Sequence, residues 1–222
     1  MSDDADCLKI ESRDRVRLLT LNRPDRRNAM SRELGNRLRR AVIAADRDPD
    51  VYLVAITGAG TQAFCAGADL KAIETLENRE SGPLGFTRLF SPKPTIAAVN
   101  GAAAGLGADM ALSCDLAIGC HTASFSMSPA KLSVPYNSAG LLHFLAVVGT
   151  RTAREMFFTA RALSAESPLL AGAINRVVAD SDSLTSGASE LADAIAAVAP
   201  LSVRSIKAEM NAVLDGSASS QA

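Results

Sequence analysis

Two segments of this chain share one order of parts: an apolar run, a glycine-rich turn and then a helix-forming stretch. Residues 51–57, VYLVAIT, run into GAG, and the unit continues to about residue 76. Residues 95–100, TIAAVN, run into GAAAG and then LGADMALS, closing the second unit at residue 113. Short apolar runs bounded by glycine read as strands buried on both faces. A further run of that type, DLAIGC, follows at 115–120. Strands that alternate with helices predict an α/β architecture of repeated units, with the working loops at the carboxyl ends of strands.

The flanking segments fit around that core. CLKIE and VRLLTLN read as extended, joined by a turn at Arg13 and Asp14, and NRPDRRNAMS reads as a loop ending on Ser31, a helix N-cap. From Arg32 to Arg47, Leu34, Leu38, Val42 and Ala45 recur at helical spacing, which predicts an amphipathic helix. Another helix is expected from about Asp69 to Glu77, a surface loop at 78–87, and mainly helix from 138 onward, with one extended stretch at 173–178. This divides the chain into a core at 1–137, a helical region at 138–214 and a disordered tail at 215–222, with no linker between independent domains.

Composition excludes several classes of function. Lys and Arg number 23 against 24 Asp and Glu, so no overall field draws nucleic acid or an anionic membrane. The longest apolar stretch, 95–112, is broken by Asn100 and Asp109 and is too polar and too short to span a bilayer. The arginines crowded between residues 13 and 47 read as a solvated helix face and loop, with a few available to a phosphorylated ligand. Cys7, Cys65, Cys114 and Cys120 have no CxxC spacing, and the acidic start MSDDADCLK is no targeting segment. Free thiols in a reducing cytoplasm are therefore expected. Their spacing and that of His121 and His143 is wrong for zinc, so no metal is expected. Cys65 is read as a small buried apolar residue.

Gly58, Gly60 and Ala63 spell GxGxxA after a strand, close to a dinucleotide fingerprint. That fingerprint requires a helix to begin at once, with an acidic residue about 20 positions on at the end of a second strand. Here Cys65-Ala66-Gly67 interposes another turn, and no second strand follows at that distance. A different reading fits the glycines. Gly67-Ala68-Asp69 sits where a loop enters a helix, so backbone N–H groups are left unpaired, and the turn from Gly101 to Gly107 is of the same kind. Two such turns facing one another supply two donors to one oxygen, an oxyanion hole for an enolate. Small residues in both turns also permit plain close packing.

NRPDRRNAM, FCAGADL, KPTIAAVNGAAAGLGADMALSCDLAIG and FFTARALSAE…AGAINRVV occur in that order and together resemble the crotonase (enoyl-CoA hydratase/isomerase) superfamily over residues 8–214. The resemblance implies a fold of repeated ββα units with a C-terminal helical region that drives assembly into homotrimers or dimers of trimers. It implies a CoA thioester whose carbonyl enters the hole, so coenzyme A arrives as part of the substrate and no separate cofactor is needed. Carried over residue by residue, it places the donors at the amides of Ala68 and Leu106, the latter where relatives often have Gly. CoA contacts are implied at Arg23, Arg27, Ala66 and Lys71. In relatives more helix follows the segment LSVRSIKAEMNAVL, which here leads into a Ser/Ala tail.

The reaction is less constrained. Hydration of an enoyl thioester uses acid and base groups, usually two carboxylates. The resemblance puts one at Asp109, a methylene shorter than the Glu of hydratases, and Pro129 or Ala130 stands near the place of the second. The stretch FSMSPAKLSVPYN is instead similar to that of methylmalonyl-CoA decarboxylases, also members of the superfamily, and their active-site Tyr maps onto Tyr136. Ala68, Asp109 and Ser133 depart from that enzyme's His, Glu and Gly. The leading expectation is decarboxylation of a malonyl-type CoA ester, which leaves an enolate without proton abstraction. The alternatives are hydration or isomerisation through Asp109, and a non-catalytic acyl-CoA binding protein.

Overall fold

Each repeated unit splits its strands between two sheets. The structure, a computed structural model, describes residues 6–69, 78–79, 82–83, 91–133, 135–136 and 138–217. The helix expected at 69–77, Lys71, most of the loop at 78–87 and the end of the tail lie outside these residues. Strands β1 (Leu8–Arg13) and β2 (Val16–Leu21) form a hairpin, with Asp14 at φ 51° in the turn. Helix α1 (Arg32–Arg47) follows, started by the Ser31 hydroxyl, which accepts from Leu34 N–H at 3.2 Å. The first unit then gives β3 (Leu53–Gly58) and β4 (Ala63–Cys65). Two-residue strands β5 (Asn78–Arg79) and β6 (Gly82–Pro83) pair with each other.

The second unit gives β7 (Thr95–Val99), β8 (Ala102–Ala104) and helix α2 (Leu106–Ser113). A third gives β9 (Leu116–Cys120) and β10 (Ser124–Ser126), followed by a 3-10 turn at Pro129–Leu132. Helices α3 (Ser138–Val148) and α4 (Thr150–Thr159), strands β11 (Leu163–Ser164) and β12 (Arg176–Val178), and helices α5 (Ser181–Ala196) and α6 (Pro200–Asp215) complete the chain.

The longer strand of each unit joins a six-stranded sheet in the order β1-β2-β3-β7-β9-β12, parallel from β2 onward. The short second strands stack beside it in the order β11-β10-β8-β4, parallel from β10 to β4. Successive units thus lie side by side in both sheets. The expected α/β class and ββα repetition are both present. The turn expected at GAAAG holds a strand, β8, because Ala102–Ala104 pairs on both edges, with β4 and β10.

Alternation along β3 shows why its sequence is apolar on both faces. Val54 and Ile56 join the main core with Leu34, Leu38, Val42 and Ala45 of α1. Leu53 and Ala55 point the other way, onto Ala192, Leu191 and Ile195 of α5. Helix α6 is tied down by Lys207, whose Nζ donates to Asp115 Oδ2 at 2.6 Å and to the Lys93 carbonyl at 2.8 Å. Along α6, Leu201, Ile206, Met210 and Val213 remain exposed. Among the described residues, no helix is long and apolar enough to cross a membrane.

Candidate active site

The two glycine turns lie against each other at the carboxyl ends of β4 and β8. A Cβ built on Gly67 comes within 2.9 Å of the Ala104 carbonyl and 3.8 Å of the Leu106 nitrogen. One on Gly107 falls 2.1 Å from the Cys65 carbonyl oxygen. Only glycine allows this approach, and Gly67 (φ 98°) and Gly105 (φ 51°) also occupy the left-handed half of backbone space.

Both implied donors sit in this contact. Met30 and Ala68 form an isolated parallel bridge: Met30 N–H donates to Gly67 O at 2.8 Å, and Asp69 N–H donates to Met30 O at 2.9 Å. In a trans peptide, C=O and N–H point in opposite directions. With Gly67 O turned to Met30, Ala68 N–H is turned away from it. Leu106 is the first residue of α2, where no preceding turn supplies an acceptor to its amide. Among the described residues, neither amide has a backbone hydrogen-bond acceptor. The start of α2 adds the positive end of a helix dipole, which favours negative charge developing at this point.

Asp109 stands three positions after Leu106, on the same side of α2 and only 4% exposed. Its backbone N–H closes the first helical turn onto Gly105 O at 2.9 Å. The third unit reaches the same place. Gly105 N–H donates to Ser126 O at 2.8 Å, and the Ser128 hydroxyl lies 3.6 Å from a Cβ built on Gly105. Pro129 and Ala130 follow at once, so the place implied for a second carboxylate adjoins the second turn and carries no acid. Tyr136 is half-buried further along this segment. Its ring meets Phe157 of α4 edge-on at 5.0 Å, and Phe157 meets Phe144 of α3 at 5.2 Å.

The expected CoA contacts divide by surroundings. The Arg23 guanidinium is engaged with Asp69 Oδ2, at 3.2 Å from both terminal nitrogens, and with Ala29 O at 2.6 Å. Ala66 N–H donates to Arg27 O at 3.0 Å. The exposed Arg27 lines a polar depression of about 260 Å³ with Pro24, Asp25, Thr61 and Gln62. Burial pushes the Cys65 thiol up to about 11, so beside the facing turns it is a neutral packing group and not a nucleophile. Among the described residues, no three His, Cys, Asp or Glu side chains gather as metal ligands.

Sequence reasoning missed two buried asparagines that hold the first turn in place. Asn28, at φ 55°, accepts from Arg23 N–H at 3.0 Å and donates to Ala59 O and Ala63 O at 3.0 and 2.8 Å. Asn100 accepts from Gly58 N–H at 3.1 Å and donates to Gly60 O at 2.6 Å. From sequence alone Asn28 reads as a loop residue and Asn100 as the end of the strand at 95–100. The left-handed tolerance of Asn was the available signal for Asn28. Replacing Asn28 with Ala removes three hydrogen bonds to backbone groups, one of them buried and two part-buried. Asn28→Ala is expected to cost about 2–3 kcal/mol, a fall of about 4–12 °C in Tm by calorimetry.

The sequence profile of the enoyl-CoA hydratase/isomerase family matches residues 11–222. This chain belongs to the enoyl-CoA hydratase/isomerase family. It is 35% identical over 209 residues to a short-chain-enoyl-CoA hydratase of Clostridium acetobutylicum, covering 91% of this chain and 80% of that one. It is 37% identical over 195 residues to a carnitinyl-CoA dehydratase of Salmonella typhimurium, covering 85% and 74%. The solved structure of an enoyl-CoA hydratase from Mycobacterium avium superposes with a TM-score of 0.86 at 34% identity, over 96% of this chain and 90% of that one. Its family membership makes this chain a crotonase-fold, acyl-CoA protein, and gives the facing turns their chemical context.

Proposed function

We propose that this protein hydrates a short enoyl-CoA thioester, or dehydrates the corresponding hydroxyacyl thioester, with Asp109 as the working carboxylate. The observation that carries this is helix α2, whose first turn holds both the Leu106 amide and the buried carboxylate of Asp109. The hydratase and dehydratase names of the relatives favour the same chemistry over the decarboxylation first expected. In the forward direction water attacks C3 of the enoyl group and gives a proton to the Asp109 carboxylate. The double-bond electrons move to the thioester oxygen, where the Ala68 and Leu106 amides hold the enolate. Asp109 then returns the proton to C2. One carboxylate closes the cycle, which accommodates Pro129 at the place of the second.

The nucleotide end of CoA is assigned to the depression beside Arg27, with Lys71 as a further contact. A cytoplasmic location follows the sequence expectation. The apolar residues exposed along α6 support self-association into a trimer or dimer of trimers.

Decarboxylation of a malonyl-type ester is the second reading, favoured by Pro129 and by Tyr136 in the same segment. Purified protein incubated with crotonyl-CoA, a 3-enoyl-CoA and methylmalonyl-CoA separates the readings by product mass. Gain of one water on crotonyl-CoA is expected, and Tyr136→Phe leaves that rate largely intact. Loss of CO2 from methylmalonyl-CoA, abolished in Tyr136→Phe, establishes the second reading in its place. Double-bond migration without hydration indicates an isomerase, and tight binding with no turnover a binding protein.

A further inference from the structure

The geometry points to Arg23 as the positioning residue for the first oxyanion donor, an inference that rests on the hole proposed above. Ala68 N–H owes its direction to an isolated bridge with Met30, flanked on one side by the hydrogen bond from Ala66 N–H to Arg27 O at 3.0 Å. The bridge itself has two hydrogen bonds, both made through the Met30 backbone. Arg23 spans it. Its guanidinium holds the Ala29 carbonyl, one residue before Met30, and the Asp69 carboxylate, one residue after Ala68. The two segments of the bridge are therefore joined at a further point, on the Asp69 side of Ala68, by one planar, rigid group.

The clamp is sheltered and anchored. The side chains of Arg23 and Asp69 are 13% and 23% exposed, so water screens their attraction less than at an open surface. The Arg23 backbone is fixed in turn, donating to the Asn28 side chain at 3.0 Å and accepting from Asn28 N–H at 2.8 Å. A buried asparagine thus sets the arginine, the arginine sets Asp69 against Ala29, and the peptide of Ala68 lies between. Arg23 touches no reacting atom in this arrangement. Its effect passes through the angle of one N–H.

The test uses Arg23→Gln, Arg23→Lys and Asp69→Asn in the full chain. The probe is a CoA thioester of a donor-substituted cinnamic acid, whose absorption moves to the red when its carbonyl accepts strong hydrogen bonds. In the unsubstituted protein the bound probe is red-shifted. In Arg23→Gln the probe still binds, the red shift shrinks, and kcat falls by about 10–10²-fold with KM little changed. Lys reaches one acceptor but lacks the fork, so Arg23→Lys recovers part of both signals.

A retained red shift and kcat in folded Arg23→Gln, with only a lower Tm, overturns the inference and leaves Arg23 a structural tie. A raised KM with the red shift retained also overturns it, and returns Arg23 to a contact with CoA phosphate. If Arg23→Gln fails to fold, Asp69→Asn, which keeps the side-chain shape, carries the same readings. Absence of a red shift in the unsubstituted protein removes the hole itself, a failure distinct from one in which the unsubstituted protein and the variants alike keep the shift.

Discussion

Asp109→Asn lowers the hydration rate of a short enoyl-CoA by about 10²–10⁴-fold, the span general acid–base groups contribute. Asn keeps the shape of Asp and can accept or donate a hydrogen bond, but it cannot take a proton from water and return it to carbon. The loss is therefore expected in kcat, with the thioester still bound. The same variant leaves the red shift of the cinnamoyl-type probe in place, because the amides of Ala68 and Leu106 are backbone groups. The carboxylate in the first turn of α2 is sheltered, where its interaction with the helix dipole is worth up to about 2 kcal/mol, so a lowered Tm with the fold retained is expected. Steady-state kinetics with crotonyl-CoA check the first statement, and an absorption spectrum with a melting curve checks the other two. Unchanged hydration in Asp109→Asn would sink the single-carboxylate mechanism, because no acid stands at Pro129 to take over.

How much of this was legible before the structure depends on whether a feature is local. The limits of α1, its Ser31 cap and the limits of α2 follow from neighbouring residues alone, and the structure returns them unchanged. The glycines of both turns were readable as sites of close approach, and Gly107 against the Cys65 carbonyl is such a contact. The second sheet was not readable. Three residues such as Ala102–Ala104 carry no alternation, and only pairing with β4 and β10 makes them a strand. The same holds for the supports of the site. Arg23 and Asp69 lie 46 positions apart, and Asn100 reaches 40 positions back to Gly60. An arginine in a loop reads as solvated, and an asparagine that ends a strand carries no signal of a distant partner. Each reading is sound for the local sequence and is overridden by a partner from another unit of the fold.

The hole itself is tested by a substitution that removes an amide hydrogen and little else. Leu106→Pro is expected to reduce kcat by about 10²–10³-fold, the cost of one lost oxyanion donor. Proline is ordinarily ruinous inside a helix, but Leu106 is the first residue of α2. There the missing N–H interrupts no helical bond, and the fixed φ of proline suits the position. The residue before a proline is restricted by clashes with its own Cβ, and here that residue is glycine, at φ 51° and ψ −114°. The fold is therefore expected to survive, with Tm near that of the unsubstituted protein. Leu106→Ala is the control: it trims the same side chain, keeps the N–H and is expected to keep most of the rate. If proline and alanine act alike, the side chain of Leu106 matters and its amide does not, and the hole loses its second donor. If proline alone removes activity and red shift together while Asp109→Asn removes activity only, charge stabilisation and proton transfer are separated on one turn of one helix.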